Sequence, residues 1–160
     1  MDIQIHKAQP GDAAGLSDFV RALGLFAQIN AEPPELTLEH VLHHLILCTS
    51  DDSHTILIAQ TPGNEIVGFC AAHWLPYLIL TGPEGYISEL FVKETFRGHG
   101  IGSRLLDGIK TEAQRRGCAR LMLINLRKRE SYQRQFYAKQ GWDERVDAAN
   151  FILPLGKANP

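Results

Sequence analysis

The sequence is short of the features that would set it apart from ordinary soluble domains. No apolar run reaches the length needed to cross a bilayer. The opening Met-Asp-Ile-Gln-Ile-His has the character of neither a signal nor a transit peptide. Cysteine is scarce: Cys48, Cys70 and Cys118 are odd in number and widely spaced, without the pairing of a metal site or a disulfide framework. Free thiols in a reducing compartment are expected, and with them a cytoplasmic protein with no membrane partner. An excess of charge of one sign is missing too. The 16 Lys and Arg stand against 18 Asp and Glu, a net charge of −2, which argues against broad nucleic-acid binding. The basic run Arg127-Lys128-Arg129 with Arg134 reads as a solvated strand end rather than an RNA site. There are no repeats, linkers or low-complexity segments, and 160 residues are enough for a single domain, 1–160, with its own core.

What is present alternates between strand-like and helix-like segments. Ile3 and Ile5 suggest a first strand over 2–8. Pro10-Gly11-Asp12 breaks it, with Asp12 a plausible N-cap for a helix that buries Leu16, Phe19, Val20 and Leu23 and closes at Gly24. Residues 25–36 read as a loop or a frayed continuation of that helix. Thr37 is placed to cap a second helix with Leu38, Val41, Leu42, Leu45 and Ile46 on one face. His40 and His44 on it have the spacing of a metal pair but no third ligand, so they read as a solvated face and no metal is expected. Residues 55–60 and 65–74 form a hairpin around Thr61-Pro62-Gly63-Asn64. An apolar loop, 75–85, follows, then a strand over 86–92, a helix from about 101 to 116 ended by Gly117, and an apolar strand over 121–126. A short helix over 130–140 stops at Gly141, and two final strands are expected at 142–146 and 150–155. The strand, helix and strand across 86–126 form one parallel βαβ unit in an otherwise mostly antiparallel sheet flanked by helices.

The centre of the chain is Arg97-Gly98-His99-Gly100-Ile101-Gly102-Ser103, between a strand and a helix. Glycine turns tightly and lets backbone approach a ligand. The first N–H groups of the following helix lack internal partners and carry its positive dipole end, which suits phosphate or pyrophosphate. The run has neither the Gly-Lys-Ser/Thr ending of a Walker loop nor the Gly-x-Gly-x-x-Gly spacing of a dinucleotide fold. Its Arg97-x-x-Gly100-x-Gly102 spacing resembles the acyl-coenzyme A pyrophosphate loop of the GNAT superfamily of N-acetyltransferases. Glu89-Leu90-Phe91-Val92 before the loop, Phe136-Tyr137-Ala138-Lys139-Gln140-Gly141-Trp142 near the end, and the order of elements also resemble that family over nearly the whole chain.

The resemblance implies acetyl-coenzyme A as co-substrate and transfer of its acetyl group to an amine. The pyrophosphate would lie against the N–H groups of Gly98, His99, Gly100, Ile101, Gly102 and Ser103 with Arg97 beside it. The pantetheine arm would pair with main chain of Leu90, Phe91 and Val92, and Asn125 would contact the cofactor or cap the strand end. An alkyl amine has a pKa of ~10, so something must accept a proton, and Glu89 is the candidate base, Ser88 its less favoured neighbour. Tyr137 is the candidate general acid for the departing thiolate, whose pKa is ~8.5. Glu130 and Gln133 depart from the family pattern in the last helix. A small-molecule amine acetyltransferase, a protein or peptide acetyltransferase, and a non-catalytic acyl-coenzyme A-binding domain all stay open. Phe26, Trp74, Tyr77 and Leu78 are expected at the acceptor pocket, and a homodimer is in keeping with the family.

Overall fold

The computed structural model describes residues 2–155, and its backbone divides into two compact units that meet in the chain between Ile124 and Asn125. The first unit holds a sheet ordered β1-β2-β3-β4-β5, made by Gln4–Lys7 (β1), His54–Gln60 (β2), Ile66–Leu75 (β3), Glu84–Val92 (β4) and Arg120–Leu123 (β5). Neighbouring strands run antiparallel except β4 and β5, which are parallel. A parallel pair needs a crossover, and helix α4, Ile101–Arg115, supplies it. The mixed sheet and its single βαβ unit are as the sequence predicts.

The remaining helices are α1 (Ala13–Ala22), α2 (Ala27–Ala31) and α3 (Pro34–Thr49). Strand alternation directs Ile58, Phe69 and Ala71 into a core shared with Leu16 and Phe19 of α1 and Leu45 of α3. Leu57, one residue along, turns instead toward Gly108 of α4. The i, i+4 stripe Ile101, Leu105, Ile109 and Ala113 of α4 is buried as expected, each of the larger side chains contributing about 1.5–3 kcal/mol.

Several expected details differ. Helix α3 begins at Pro34, whose fixed φ suits a first helical position. Thr37 therefore lies inside the helix and does not cap it. Buried to 1%, it accepts from Arg21 at 2.8 Å and donates to Glu32 at 2.7 Å. Asp12 occupies the N-cap position of α1, yet its carboxylate accepts from the Gln9 N–H behind it. Leu38, Leu42 and Ile46 face solvent, since the inward stripe of α3 is Thr37, Val41 and Leu45. Strand β5 is shorter than the predicted 121–126 and only half-buried.

In the second unit the predicted helix over 130–140 is broken. Helix α5, Glu130–Gln133, ends where Gln135 takes φ 57°. There the Gln135 N–H bonds to Tyr132 and the Phe136 N–H to Ser131, a Schellman closure without the usual glycine. A 3₁₀ turn, Ala138–Gln140, follows and stops at Gly141. The expected strands at 142–146 and 150–155 do not form among the described residues. A strand is made by its ladder partner, and no partner pairs with these segments, so Val146, Phe151, Ile152, Leu153 and Leu155 stay exposed.

Candidate functional site

The glycine loop joins β4 to α4 through a 3₁₀ turn at Glu94–Phe96. Gly98 and Gly100 have φ of 81° and 76°, the left-handed region that other residues enter at a cost, and Gly100 is the N-cap of α4. Nothing lies within 4 Å of where a Cβ would sit on either glycine, so the loop presents open backbone at the positive end of a four-turn helix. That geometry fits a pyrophosphate. Arg97 is held beside the loop by its Nε, which donates to the Val92 carbonyl at 3.2 Å. His99 is exposed, with Nδ1 3.4 Å from the Phe96 carbonyl.

The ladder between β4 and β5 ends at Ile87 opposite Leu123. Among the described residues, strand β4 from Ser88 to Val92 pairs only with β3, so the edge of Leu90, Phe91 and Val92 that would face β5 has no described strand on it. This leaves main-chain groups available to an extended ligand arm. The same segment carries a β-bulge. Ala71 lies opposite Glu89 and Ala72 opposite Ile87, which leaves Ser88 as an extra residue. The bulge breaks the alternation of sides, so Ser88, next to Glu89, reaches His73 of the region that Glu89 lines.

That region is a cavity of about 700 Å³ between the helices α1, α2 and α3 and the strands β2, β3 and β4, a volume suited to a small molecule. Its walls are mostly apolar, with Leu16, Val20, Phe26, Val41, Leu45 and Phe69 among them. Glu89 opens into it, and loss of water to the surrounding walls pushes its carboxyl above the usual range. Glu32, His40, His44, Cys48, His54 and His73 also line it. Phe26 is where the sequence predicts, in edge contact with Phe91, but the other expected pocket residues are not. Trp74 is buried on a different side of the sheet, donating to Thr55 at 3.0 Å with Arg116 over its ring. Tyr77 and Leu78 are exposed and do not line the cavity.

In the second unit, Tyr137 starts the 3₁₀ turn, half-buried between Phe136 and Trp142 at ring-centroid distances of 5.0 and 5.9 Å. The Tyr132 hydroxyl is engaged by Glu144 at 2.8 Å. Asn125 accepts from the Ser131 hydroxyl at 2.9 Å, fixing the first turn of α5. Among the described residues no three His, Cys, Asp or Glu side chains are grouped to hold a metal ion, and no helix is long and apolar enough to cross a membrane. All three cysteines are free, and burial pushes the Cys70 thiol up to about 12.

Sequence reasoning missed His54 and His73. A hairpin counted from its turn, with Gln60 opposite Ile66, places Ala72 opposite His54. A bulge at Val67 shifts the register by one and brings the two histidines together.

The sequence model of the acetyltransferase (GNAT) family matches residues 23–142. A Bordetella parapertussis L-2,4-diaminobutyric acid acetyltransferase is 34% identical over 83 residues, 51% of this chain and 42% of that one. A Bos taurus thialysine N-epsilon-acetyltransferase is 24% identical over 130 residues, 78% of this chain and 75% of that one. The chain thus spans less than half of the first relative's length. The crystal structure of a ribosomal-protein-alanine N-acetyltransferase from Brucella melitensis superposes with a TM-score of 0.73 at 21% identity, covering 96% of this chain and all of that one, a likeness of fold.

Proposed function

The chain belongs to the acetyltransferase (GNAT) family, and on that premise we propose that it is an acetyl-coenzyme A-dependent N-acetyltransferase acting on a small-molecule amine, with 1–160 as one catalytic domain. The observation that carries the reading is the walled cavity with Glu89 in it, on the strand whose next three residues have an unpaired edge. A protein acceptor would call for an open groove. The relatives named for diaminobutyric acid and thialysine N-epsilon acetylation also favour a small amine.

Acetyl-coenzyme A supplies an activated acetyl thioester. In this reading the N–H groups of Gly98 through Ser103 hold its pyrophosphate, Arg97 adds positive charge, and Leu90, Phe91 and Val92 orient the pantetheine arm. Asn125, whose amide oxygen is occupied by Ser131, keeps its NH₂ for the cofactor. The amine enters the cavity, where Glu89 takes a proton from it. Tyr137 gives a proton to the leaving sulfur.

The test is thiol release from acetyl-coenzyme A with L-2,4-diaminobutyrate, thialysine and a panel of other primary amines. The expected result is turnover of at least one amine, with Tyr137→Phe lowering kcat about 10²-fold and leaving acetyl-coenzyme A affinity unchanged. No turnover of any small amine, alongside acetylation of a peptide amine, would replace the small-molecule reading by the protein one.

A further inference from the structure

An alkylammonium acceptor poses a problem that one base does not solve. In the balanced reaction, RNH₃⁺ and the acetyl thioester give the amide, the thiol and one H⁺. Two N–H bonds break, a C–N bond forms, the C–S bond breaks and an S–H bond forms. One proton balances the one that Tyr137 gives to sulfur. The other must be taken up in a cavity whose walls are mostly apolar and which meets solvent beside Ser88 and Glu89.

Beside Glu89 the structure sets two histidines in ring contact, each held by a serine hydroxyl. His73 on β3 lies directly across the ladder from His54 on β2, both line the cavity, and their rings meet edge to face at a centroid distance of 4.6 Å. His73 Nε2 is 2.8 Å from the hydroxyl of Ser88, the residue that the β4 bulge turns toward it. His54 Nδ1 is 2.7 Å from the Ser53 hydroxyl, which in turn donates to the carboxylate of exposed Asp51. The other titratable groups around His73 are Tyr86 and Glu89 on β4 and His44 and Cys48 on α3 across the cavity.

We propose that His73 is a second base, taking the surplus proton of the ammonium and returning it to solvent, while Glu89 takes the proton released as the C–N bond forms. Ser88 and His54 are positioning residues: the first fixes the imidazole by its hydroxyl, the second by the ring contact. The proposal rests on the acetyltransferase reading above. Loss of water and then the charge of His54 push the His73 pKa down, away from the charged form.

Two readouts test it on the intact chain. The first is NMR titration of the histidine rings without ligand. His73 is expected to titrate below the usual histidine range and to rise when His54 is replaced (His54→Asn). Independent titration, unmoved by that change, overturns the part given to His54 whether or not an amine has been found. The second is the pH dependence of kcat/KM with any amine turned over. The acidic limb is expected to carry two ionisations, with a slope of two. His73→Gln should reduce the slope to one and lower kcat about 10²-fold, and added imidazole should restore part of the rate to His73→Ala. A slope of one that His73→Gln leaves unchanged overturns the proposal. Calorimetric titration with coenzyme A separates the failures. Native chain that does not bind it removes the acetyltransferase reading, whereas normal binding with an unaltered limb removes the second base alone.

Discussion

A carboxylate that must ionise to act is poorly served by apolar walls, and Glu89 shows the consequence. The walls around it take water from the carboxyl and raise its pKa although the side chain still meets solvent, and a raised pKa makes a better acceptor. Cys48, close by, is shifted up by burial and then by the charge of Glu89, which disfavours its thiolate. Glu89→Gln keeps the shape and removes the proposed base. It should lower kcat/KM about 10²-fold at neutral pH with acetyl-coenzyme A affinity unchanged, as measured by thiol release and calorimetry together. Activity within about twofold of native would take Glu89 out of the chemistry.

Between elements, position depends on irregularities as much as on regular structure. The bulge at Ser88 sets Ser88 against His73 beside Glu89, and the one at Val67 aligns His54 with His73. Strand periodicity assigns alternate residues to opposite faces, so neither arrangement could be read from it. The βαβ unit, the glycine loop and the stripe on α4 were legible because each has a strong local signal: alternating apolar residues, glycine spacing and a 3.6-residue period. The ends of α3 and α5 were not. Pro34 starts a helix that Thr37 looked suited to cap, and Gln135 closes one where glycine would be the usual mark. Of the candidate site, Glu89 and the loop were legible, while the walls from α1 and α3 were not. Which face of a helix meets a cavity is settled by packing.

Across the first unit, Glu112 ties α4 to β1. It accepts from Arg115 at 2.6 Å, Arg116 at 2.9 Å and Lys7 at 3.4 Å, and Arg116 continues to the Asp52 carbonyl at 2.7 Å and over Trp74. The Arg115 hydrogen bond, with Arg116 and Lys7 behind it, holds the Glu112 carboxyl down to about 2 against the opposing effect of partial burial. A carboxyl depressed in the folded state stabilises it above the unfolded pKa, and that contribution disappears as pH falls through the folded value. Urea denaturation should therefore show stability falling between about pH 4.5 and about pH 2. Glu112→Gln should be less stable at pH 7 and show a shallower loss over that window. An identical acid dependence in both proteins would show that the cluster contributes nothing to it.

The account depends most on the loop between β4 and α4 holding a pyrophosphate through its backbone. Calorimetric titration of the intact chain with acetyl-coenzyme A, repeated on Gly100→Val, tests this most directly. At φ 76° a β-branched side chain is strained whatever the space around it, so the substitution should distort the N-terminus of α4 while the buried stripe of the helix keeps the fold, checked by circular dichroism. Saturable binding by the native chain that falls at least tenfold in the folded variant is the predicted result. A folded native chain that does not bind acetyl-coenzyme A, or a variant that binds it equally well, would contradict the account.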